Sequence, residues 1–232
     1  MTAPKAHRMM LPPGWPAVIR GPVATLSPVT APTRTRIAAD ERRHQIVAAT
    51  RRVTLARGLH DLRVGDVASE LDVSTGLIHY HFATKDELIE AMLRETAEHE
   101  VASVRATLAK QARPADRLER VIELYLPSTR SDPSWVLWID VWGEALRDVN
   151  LRRISEELDA AWVELFAEII ADGVAAGVFR CADPVASAWR LCALLDGLGL
   201  QVVLHQGTMT RAQMHKHVRR AASLELAYDL AD

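Results

Sequence analysis

The sequence predicts an all-α protein in which a small N-terminal three-helix domain is followed by a larger helical bundle. From residue 38 onward, apolar residues recur every three or four positions, which is the period of a helix that buries one face. Past Pro114 no segment shows the apolar and polar alternation of a half-buried strand, and no glycine-rich phosphate-binding loop is present. Prolines and glycines separate the periodic segments, which predicts short connections between helices.

Composition and charge are typical of a globular protein that is basic at one end. Hydrophobic residues make up 49% of the 232 residues and charged residues 25%, with no uninterrupted apolar run long enough to span a membrane. The formal net charge is −2, yet residues 1–90 contain 12 Lys and Arg against 9 Asp and Glu, whereas the remainder contains 16 against 21. A polyanionic partner would therefore meet the N-terminal end.

The N-terminal segment is rich in proline. Residues 1–35 contain seven of the 11 prolines, and we expect a disordered arm there. No uninterrupted apolar core follows its basic residues, so a signal peptide is not expected. After the arm, residues 38–59 predict a helix in which Ile46, Val53 and Ala56 share a buried face and Gly58 marks the end.

Two further short helices joined by a tight turn come next. The apolar face of the first is formed by Val64, Val67, Ala68 and Leu71. The period breaks at Asp72, which tolerates a left-handed turn, and Ser74 is a good N-cap for a helix over residues 75–82. Ile78 and Phe82 can face inward from that helix. Two short helices joined by such a turn are typical of a helix-turn-helix, whose second helix lies in the DNA major groove.

The outward residues of this second helix suit contacts with double-stranded DNA. We expect Thr75, Gly76 and Leu77 at the base edges, where glycine permits close approach of the backbone. We expect contacts with phosphates from Ser74, His79, Tyr80 and Lys85. Thr84 is expected to cap the following helix in a capping box with Glu87. Basic residues of the arm could also follow the DNA, but an inert tail or a misassigned start codon explains the arm equally well.

Residues 66–68, Asp-Val-Ala, and residues 73–88, Val-Ser-Thr-Gly-Leu-Ile-His-Tyr-His-Phe-Ala-Thr-Lys-Asp-Glu-Leu, form a dense and ordered pattern. This pattern resembles the DNA-binding domain of the TetR family of bacterial transcriptional repressors. It departs from the family at Arg63, where Thr or Ser is usual, at Asp72, where Gly is usual, and at His79, where Tyr is usual. The cap of the first helix is therefore lost, and Arg63 is expected to contact a phosphate instead.

The rest of the chain predicts a helical bundle. Helical periods cover residues 87–109, 116–125, 134–147, 151–173, 183–207 and 210–230. Residues 191–204 are nearly all apolar around Asp196, Gly197 and Gly199, so we expect this helix to be buried on every side. It could be buried within the chain, but we favour a two-fold dimer interface made with residues 210–230.

Tryptophans are concentrated in the predicted bundle. An aromatic stripe at helical spacing is usually core packing, but pockets between bundle helices are also apolar and hold a few polar groups. A tryptophan face and a carboxylate would attract a quaternary ammonium ligand by about 0.5–2 kcal/mol per contact. The candidate ligand residues are Trp135, Trp138, Asp140, Trp142, Trp162 and Trp189, and Glu144 lies near the same stripe.

The bundle also resembles part of the TetR family. Its Trp-rich segment and residues 177–179, 183–184 and 196–198 are similar to the regulatory domain of the choline-responsive branch. The resemblance spans residues 37–230 and implies a homodimer with a small-molecule effector, which stays unidentified at this point.

The sequence does not support metal or catalytic chemistry. The paired histidines, His79 with His81 and His215 with His217, are two positions apart and face different ways on a helix. Cys181 and Cys192 lack the spacing of a metal site, and the default compartment is a reducing cytoplasm. We therefore expect no catalytic residues, no metal, no cofactor and no enzyme.

These observations predict a ligand-responsive repressor of a pseudo-palindromic operator. The expected organisation is an arm at 1–35, a helix-turn-helix domain at 36–92 and a ligand-binding and dimerisation domain at 93–232. The alternative is a helical module that binds a small molecule or a protein and carries a non-functional DNA-binding head. No membrane partner is expected.

Overall fold

The computed structural model describes residues 34–205 and 209–228, and within these ranges every regular element is a helix. The helices are α1 (Arg34–Arg57), α2 (Val64–Glu70), α3 (Thr75–His81), α4 (Lys85–Leu108), α5 (Pro114–Tyr125), α6 (Pro133–Ala145), α7 (Val149–Ala175), α8 (Pro184–Leu204) and α9 (Arg211–Leu226). The predicted all-α class is confirmed. The expected arm at 1–35 lies outside the described residues, except for its last two residues, which begin α1.

Helix α1 supports the two short helices, which pack beneath it and on each other. Ile46 and Val53 are buried as expected, but Ala56 is exposed. The buried face instead passes through Thr50 and Thr54, four residues apart, whose hydroxyls donate to the carbonyls of the preceding turn at 2.8 Å. These internal bonds satisfy the hydroxyls, which allows threonine in the core.

The turn between α2 and α3 has the expected chemistry. Asp72 adopts a left-handed conformation with φ of 53°, and the backbone N–H of Val73 donates to the carbonyl of Ala68 at 3.0 Å. The Ser74 hydroxyl then accepts from the N–H of Leu77 at 3.3 Å, which caps α3. The prediction of a tight turn followed by a serine cap is confirmed.

Helix α4 joins the head, meaning α1 to α3, to the bundle formed by α5 to α9. Thr84 caps it by accepting from the N–H of Glu87 at 3.1 Å. The Glu87 carboxylate reaches back to the N–H of Ala83 at 2.9 Å, one residue before the partner that a capping box requires. The proposed domain boundary at residue 92 falls inside α4, so a continuous helix links the two parts.

Helix α7 is the centre of the bundle and packs against α4, α5, α6 and α8. Aspartates at the N-caps of three helices accept from exposed backbone N–H groups, which stabilises each helix start by about 1 kcal/mol. These caps are Asp132, Asp148 and Asp183. Helix α9 closes the bundle against α5 and α8.

Helix α8 is strongly apolar and, by length and composition alone, could cross a membrane. In this fold it packs on α7 and α9, and Leu195 is fully buried. The expectation that α8 is buried on every side is wrong for the single chain. Trp189, with 39% of its surface exposed, begins an uncovered stripe that ends at Leu204 with 54% exposed.

Candidate nucleic-acid interface and ligand cavity

Helix α3 presents most of the predicted DNA-contacting residues on one outward surface. Thr75, Gly76 and His79 are exposed, and Tyr80 has 81% of its surface exposed, whereas Leu77 is half-buried. The helix is held to the head by two fully buried residues on its inner side, Ile78 and Phe82. A large aromatic ring left in water is informative because such residues are usually partly covered in a free protein.

The three other predicted phosphate contacts lie outside α3, at the starts of α2, α3 and α4. The Ser74 hydroxyl uses a lone pair to cap α3, which leaves its O–H free to donate to a phosphate. Arg63 is exposed at the start of α2, where its side chain makes no cap bond. Lys85 is half-buried at the first position of α4, where the helix dipole is positive.

Arginines of α1 brace the short helices. The Arg43 guanidinium lies 4.0 Å over the ring of Phe82 and donates to the carbonyl of His81 at 2.9 Å. Positive charge at that carbonyl end stabilises α3. Arg52 donates to the Glu70 carboxylate at 2.8 Å. Arg43 thus holds the end of α3 and Arg52 holds the end of α2, each against α1.

A cavity of about 280 Å³ lies between α4, α5, α6, α7 and α8. Its wall combines aromatic and acidic side chains, and no Lys or Arg is among the described residues that form it. The lining residues are His99, Glu100, Ser103, Val104, Leu124, Tyr125, Leu126, Asp132, Ser134, Trp135, Trp138, Trp142, Leu158, Asp159, Trp162 and Asp196. Four of the six predicted ligand residues therefore line the cavity, namely Trp135, Trp138, Trp142 and Trp162.

The aromatic residues of the cavity pack edge to face. The ring centroid of Tyr125 lies 4.7 Å from Trp162 and 6.1 Å from Trp135, and Trp135 lies 6.2 Å from Trp142. The indole N–H of Trp135 donates to the carbonyl of Tyr125 at 3.0 Å. A Cβ at Gly199 would come within 1.9 Å of Trp135, so glycine at this position of α8 gives the indole its space.

Three carboxylates face the cavity with few partners. The Tyr125 hydroxyl donates to Asp196 Oδ1 at 2.5 Å, and the indole N–H of Trp138 donates to Glu100 at 3.0 Å. Ser134 also donates to Glu100. Asp159 accepts no hydrogen bond within the described residues. The cavity therefore concentrates negative charge that the protein does not balance.

Burial perturbs these acids. It raises the pKa of Asp159 to about 7, and the neighbouring charges of Asp196 and Glu156 act in the same direction. Burial also raises the pKa of Asp196 and of Glu100, although hydrogen bonds to each carboxylate oppose the rise. Burial and then the Asp196 charge hold the pKa of Tyr125 well above its usual value, so this hydroxyl stays protonated.

Two predicted ligand residues lie outside the cavity. Asp140 follows Trp138 by two positions, about 200° around the helix, so its carboxylate faces the head and accepts from the N–H of Leu59 at 3.4 Å. Trp189 lies on α8 seven residues before Asp196, about 10 Å along the axis, beyond the cavity wall. Helical geometry explains both positions: Asp140 lies on the opposite side of its helix from the cavity, and Trp189 lies too far along its helix to reach it.

Sequence reasoning missed several cavity residues. Glu100, Tyr125 and Asp159 lie on three different helices, and each has ordinary polar neighbours in sequence. The available signal was weak: each is a polar residue within an apolar helical period. Only the fold brings them together.

Two family models match separate parts of the chain. Residues 46–92 match bacterial regulatory proteins of the tetR family, and residues 114–227 match the BetI-type transcriptional repressor C-terminal domain. Both describe regulators of transcription rather than enzymes. The HTH-type transcriptional regulator BetI of Burkholderia cenocepacia is 28% identical over 201 residues, covering 82% of this chain and 92% of the relative. The BetI regulator of Serratia proteamaculans is 26% identical, covering 74% and 86%.

Solved structures share the fold. A putative transcriptional regulator from Saccharomonospora viridis, crystallised in complex with choline, is 32% identical with a TM-score of 0.72, and the match covers 81% of this chain and 98% of that one. A TetR transcription regulator from Haloarcula marismortui superposes with a TM-score of 0.69 over 81% and 97% of the two chains. At 23% identity the second similarity concerns the fold alone.

Proposed function

Because the chain belongs to the TetR family of transcriptional regulators, with a BetI-type C-terminal domain, we propose that it is a repressor whose effector is a small organic cation. The observation that carries this proposal is the cavity, in which four tryptophans and Tyr125 surround carboxylates without a described Lys or Arg. Aromatic faces and unbalanced negative charge together favour a quaternary ammonium group. Choline, the ligand of the similar S. viridis protein, is the first compound to test.

The DNA side of the proposal rests on α3. Thr75, Gly76 and Leu77 at its N-terminal end would meet base edges, as in other helix-turn-helix proteins. The phosphate contacts would come from Arg63, Ser74, His79, Tyr80 and Lys85. Because each head offers only a few cations, affinity should depend on two heads that bind together.

A homodimer would supply the second head. The uncovered stripe of α8, from Trp189 to Leu204, contains the small residues Ala193 and Gly197, which let another helix approach closely. On the neighbouring α9, Leu224 has 67% of its surface exposed. We propose that these two helices pair with their copies across a two-fold axis, which would place two heads on one operator in the cytoplasm.

Helix α6 offers a route from the cavity to the head. Three of its tryptophans line the cavity, while Asp140 on its other side accepts from the backbone of Leu59, just after α1. Gly58, next to this contact, has a φ of 86°. A Cβ placed on Gly58 would lie 3.6 Å from the Asp140 carboxylate. A ligand that shifts α6 would shift the head, and a coupling of about 1–3 kcal/mol is typical.

Binding of choline and of tetramethylammonium can be followed by the intrinsic fluorescence of the cavity tryptophans. We expect saturable quenching by both cations, weakened in Glu100→Gln and unchanged in Glu98→Gln, an exposed acid of the same helix outside the cavity wall. A protein that binds neither cation, while its neutral analogues bind, would contradict a cationic effector.

A further inference from the structure

The cavity contains more carboxylates than a single cation would neutralise, and they do not have the same role. Asp132 is committed to structure, because it accepts from the backbone of Ser128, Ser134 and Trp135 at the start of α6. Burial acts against its charge, but these bonds prevail and lower its pKa. Asp132 therefore stays ionised as a helix cap whether or not a ligand is bound.

Glu100 and Asp196 each accept hydrogen bonds from donors, which oppose the rise in pKa that burial causes. Glu100 accepts from Ser134 and from the indole of Trp138, and Asp196 accepts from the Tyr125 hydroxyl at 2.5 Å. Hydrogen bonds of this kind favour the charged form of a carboxyl group. Asp159 differs from both, because within the described residues nothing donates to it and no cation faces it.

We propose that Asp159 is the specificity-determining residue of the cavity, which carries a proton while the cavity is empty and releases it to water when a permanent cation enters. This inference rests on the cationic effector proposed above and adds how that cation is selected. No covalent bond changes: the carboxyl O–H loses its proton, and the ligand supplies the positive charge that balances the carboxylate.

The surroundings of Asp159 favour a proton there rather than on its neighbours. Burial raises the pKa of Asp159 to about 7, and the charge of Asp196 raises it further. The groups that face it are Asp196 and Cys192 on α8, Tyr125 on α5, Glu156 on its own helix, His99 and Glu100 on α4, and Asp132 before α6. Burial and the nearby aspartates also raise the pKa of the Cys192 thiol, which stays neutral.

Because the bound cation replaces the proton of Asp159, the affinity for the cation should depend on pH in one direction. Below pH 7 Asp159 is neutral and a cation must displace its proton, so affinity falls as the pH falls. Above pH 7 the carboxylate is already ionised and the affinity reaches its plateau. For one group with a pKa of about 7, binding at pH 6 is about tenfold weaker than at pH 8. A neutral ligand of the same shape gains nothing from this exchange.

Calorimetric titration of the full chain with choline tests the inference. Titrations at pH 6 and pH 8, each in two buffers with different ionisation enthalpies, count the protons released. We expect close to one proton per choline at pH 6, almost none at pH 8, and about tenfold weaker binding at pH 6. The neutral isostere 3,3-dimethylbutan-1-ol should release no proton at either pH.

Asp159→Asn should give a pattern that a structural role would not produce. The amide cannot titrate, so we expect no proton release and a flat pH profile, with affinity reduced at both pH values and about tenfold more strongly at pH 8 than at pH 6. His99→Gln is the matched control, because it removes the imidazole among the described lining residues while leaving Asp159 in place. It should keep the wild-type proton count.

The outcomes separate this inference from the proposed function. Choline binding without proton release, or proton release that persists in Asp159→Asn, would overturn the role of Asp159 while leaving a cationic effector in place. Failure of choline to bind at either pH would overturn both. If Asp159→Asn does not fold, the proton counts of Glu100→Gln and Asp196→Asn decide the question, because proton release that is lost in either variant would assign the proton to that residue instead of Asp159.

Discussion

Helix α3 and the cavity are both candidate binding sites, but they are built in opposite ways. The DNA-facing surface comes from a helix of seven consecutive residues, held by Ile78 and Phe82 and otherwise left in water. The cavity is assembled from five helices, with lining residues that run from His99 to Asp196. The recognition surface is thus local in sequence and independent of the core, whereas the cavity is part of the core itself.

This contrast predicts different consequences of substitution. Exposed residues of α3 can be replaced without loss of packing, so their variants should change binding and leave the free energy of unfolding alone. Cavity residues are buried against neighbouring helices, so their variants should change ligand affinity and stability together. Measuring both quantities for each variant tests whether the two regions are as separate as the structure indicates.

The largest effect is expected from Tyr80→Ala combined with Lys85→Ala. Each contact with DNA contributes about 1–3 kcal/mol, so the double variant should bind operator DNA at least about 100-fold more weakly. Its thermal unfolding should be close to that of the unmodified protein, because Tyr80 is 81% exposed. Fluorescence anisotropy at two salt concentrations, beside melting curves, measures both. Lys110→Ala, an exposed lysine of the bundle, is the control that should keep full affinity.

A pair of glycine variants sharpens the comparison. A Cβ at Gly199 would come within 1.9 Å of Trp135, whereas a Cβ at Gly76 would meet Ser74 Oγ at 3.7 Å, an ordinary contact. Overpacking costs about 1–3 kcal/mol, and replacing a helical glycine by alanine recovers about 1 kcal/mol. Gly199→Ala should therefore be destabilised by up to about 2 kcal/mol and lose affinity for choline.

Gly76→Ala should instead be at least as stable as the unmodified protein and weaken only the binding of DNA. Denaturant unfolding and DNA binding, measured on both variants, provide the test. A Gly76→Ala protein that unfolds more easily, or a Gly199→Ala protein that keeps its choline affinity, would show that the two sites are not separated in this way.

Asp140→Asn should weaken communication between the two regions without removing either. The amide keeps the shape of the side chain and an acceptor oxygen, but it loses the negative charge that strengthens the bond from the N–H of Leu59. We expect operator affinity and choline affinity to stay within about threefold of their normal values, while the coupling between them falls by about 1 kcal/mol. The measurement is the operator affinity with and without saturating choline. An unchanged ratio would exclude Asp140 from the route.

The smallest effect is expected at Arg63, which occupies the N-cap of α2 without making a cap bond. Arg63→Thr should stabilise the protein by about 0.5–1 kcal/mol, because a hydroxyl can accept from the exposed N–H groups. If Arg63 contacts a phosphate, the same variant should bind DNA more weakly and lower the salt dependence by about one unit per head. A more stable variant with unchanged salt dependence would remove Arg63 from the DNA contacts.

The same contrast explains what the sequence could predict. The left-handed Asp72, the Ser74 cap and the inward Ile78 and Phe82 depend on neighbours within four residues, and all are confirmed. The cavity depends on distant partners. A tryptophan stripe was visible on α6, but its acidic partners were not, and Asp140 was assigned to the wrong face.

For a related reason the sequence left two explanations open for the apolar surface of α8, packing within the chain or a two-fold dimer interface. An apolar composition indicates that a helix is buried, but it does not identify the surface that buries it. Periodicity could not distinguish contacts within the chain from contacts with a second copy, and Trp189 therefore appeared among the ligand residues although it lies on the outer face.

A cation-released repressor is tested by a footprint of the protein on the DNA that flanks its own gene, with and without choline. We expect a protected pseudo-palindrome whose protection weakens as salt is raised and disappears when choline saturates the cavity. Protection that persists while choline is bound would contradict a cation-released repressor, and no protected site among genome-wide bound fragments would contradict a DNA-reading head.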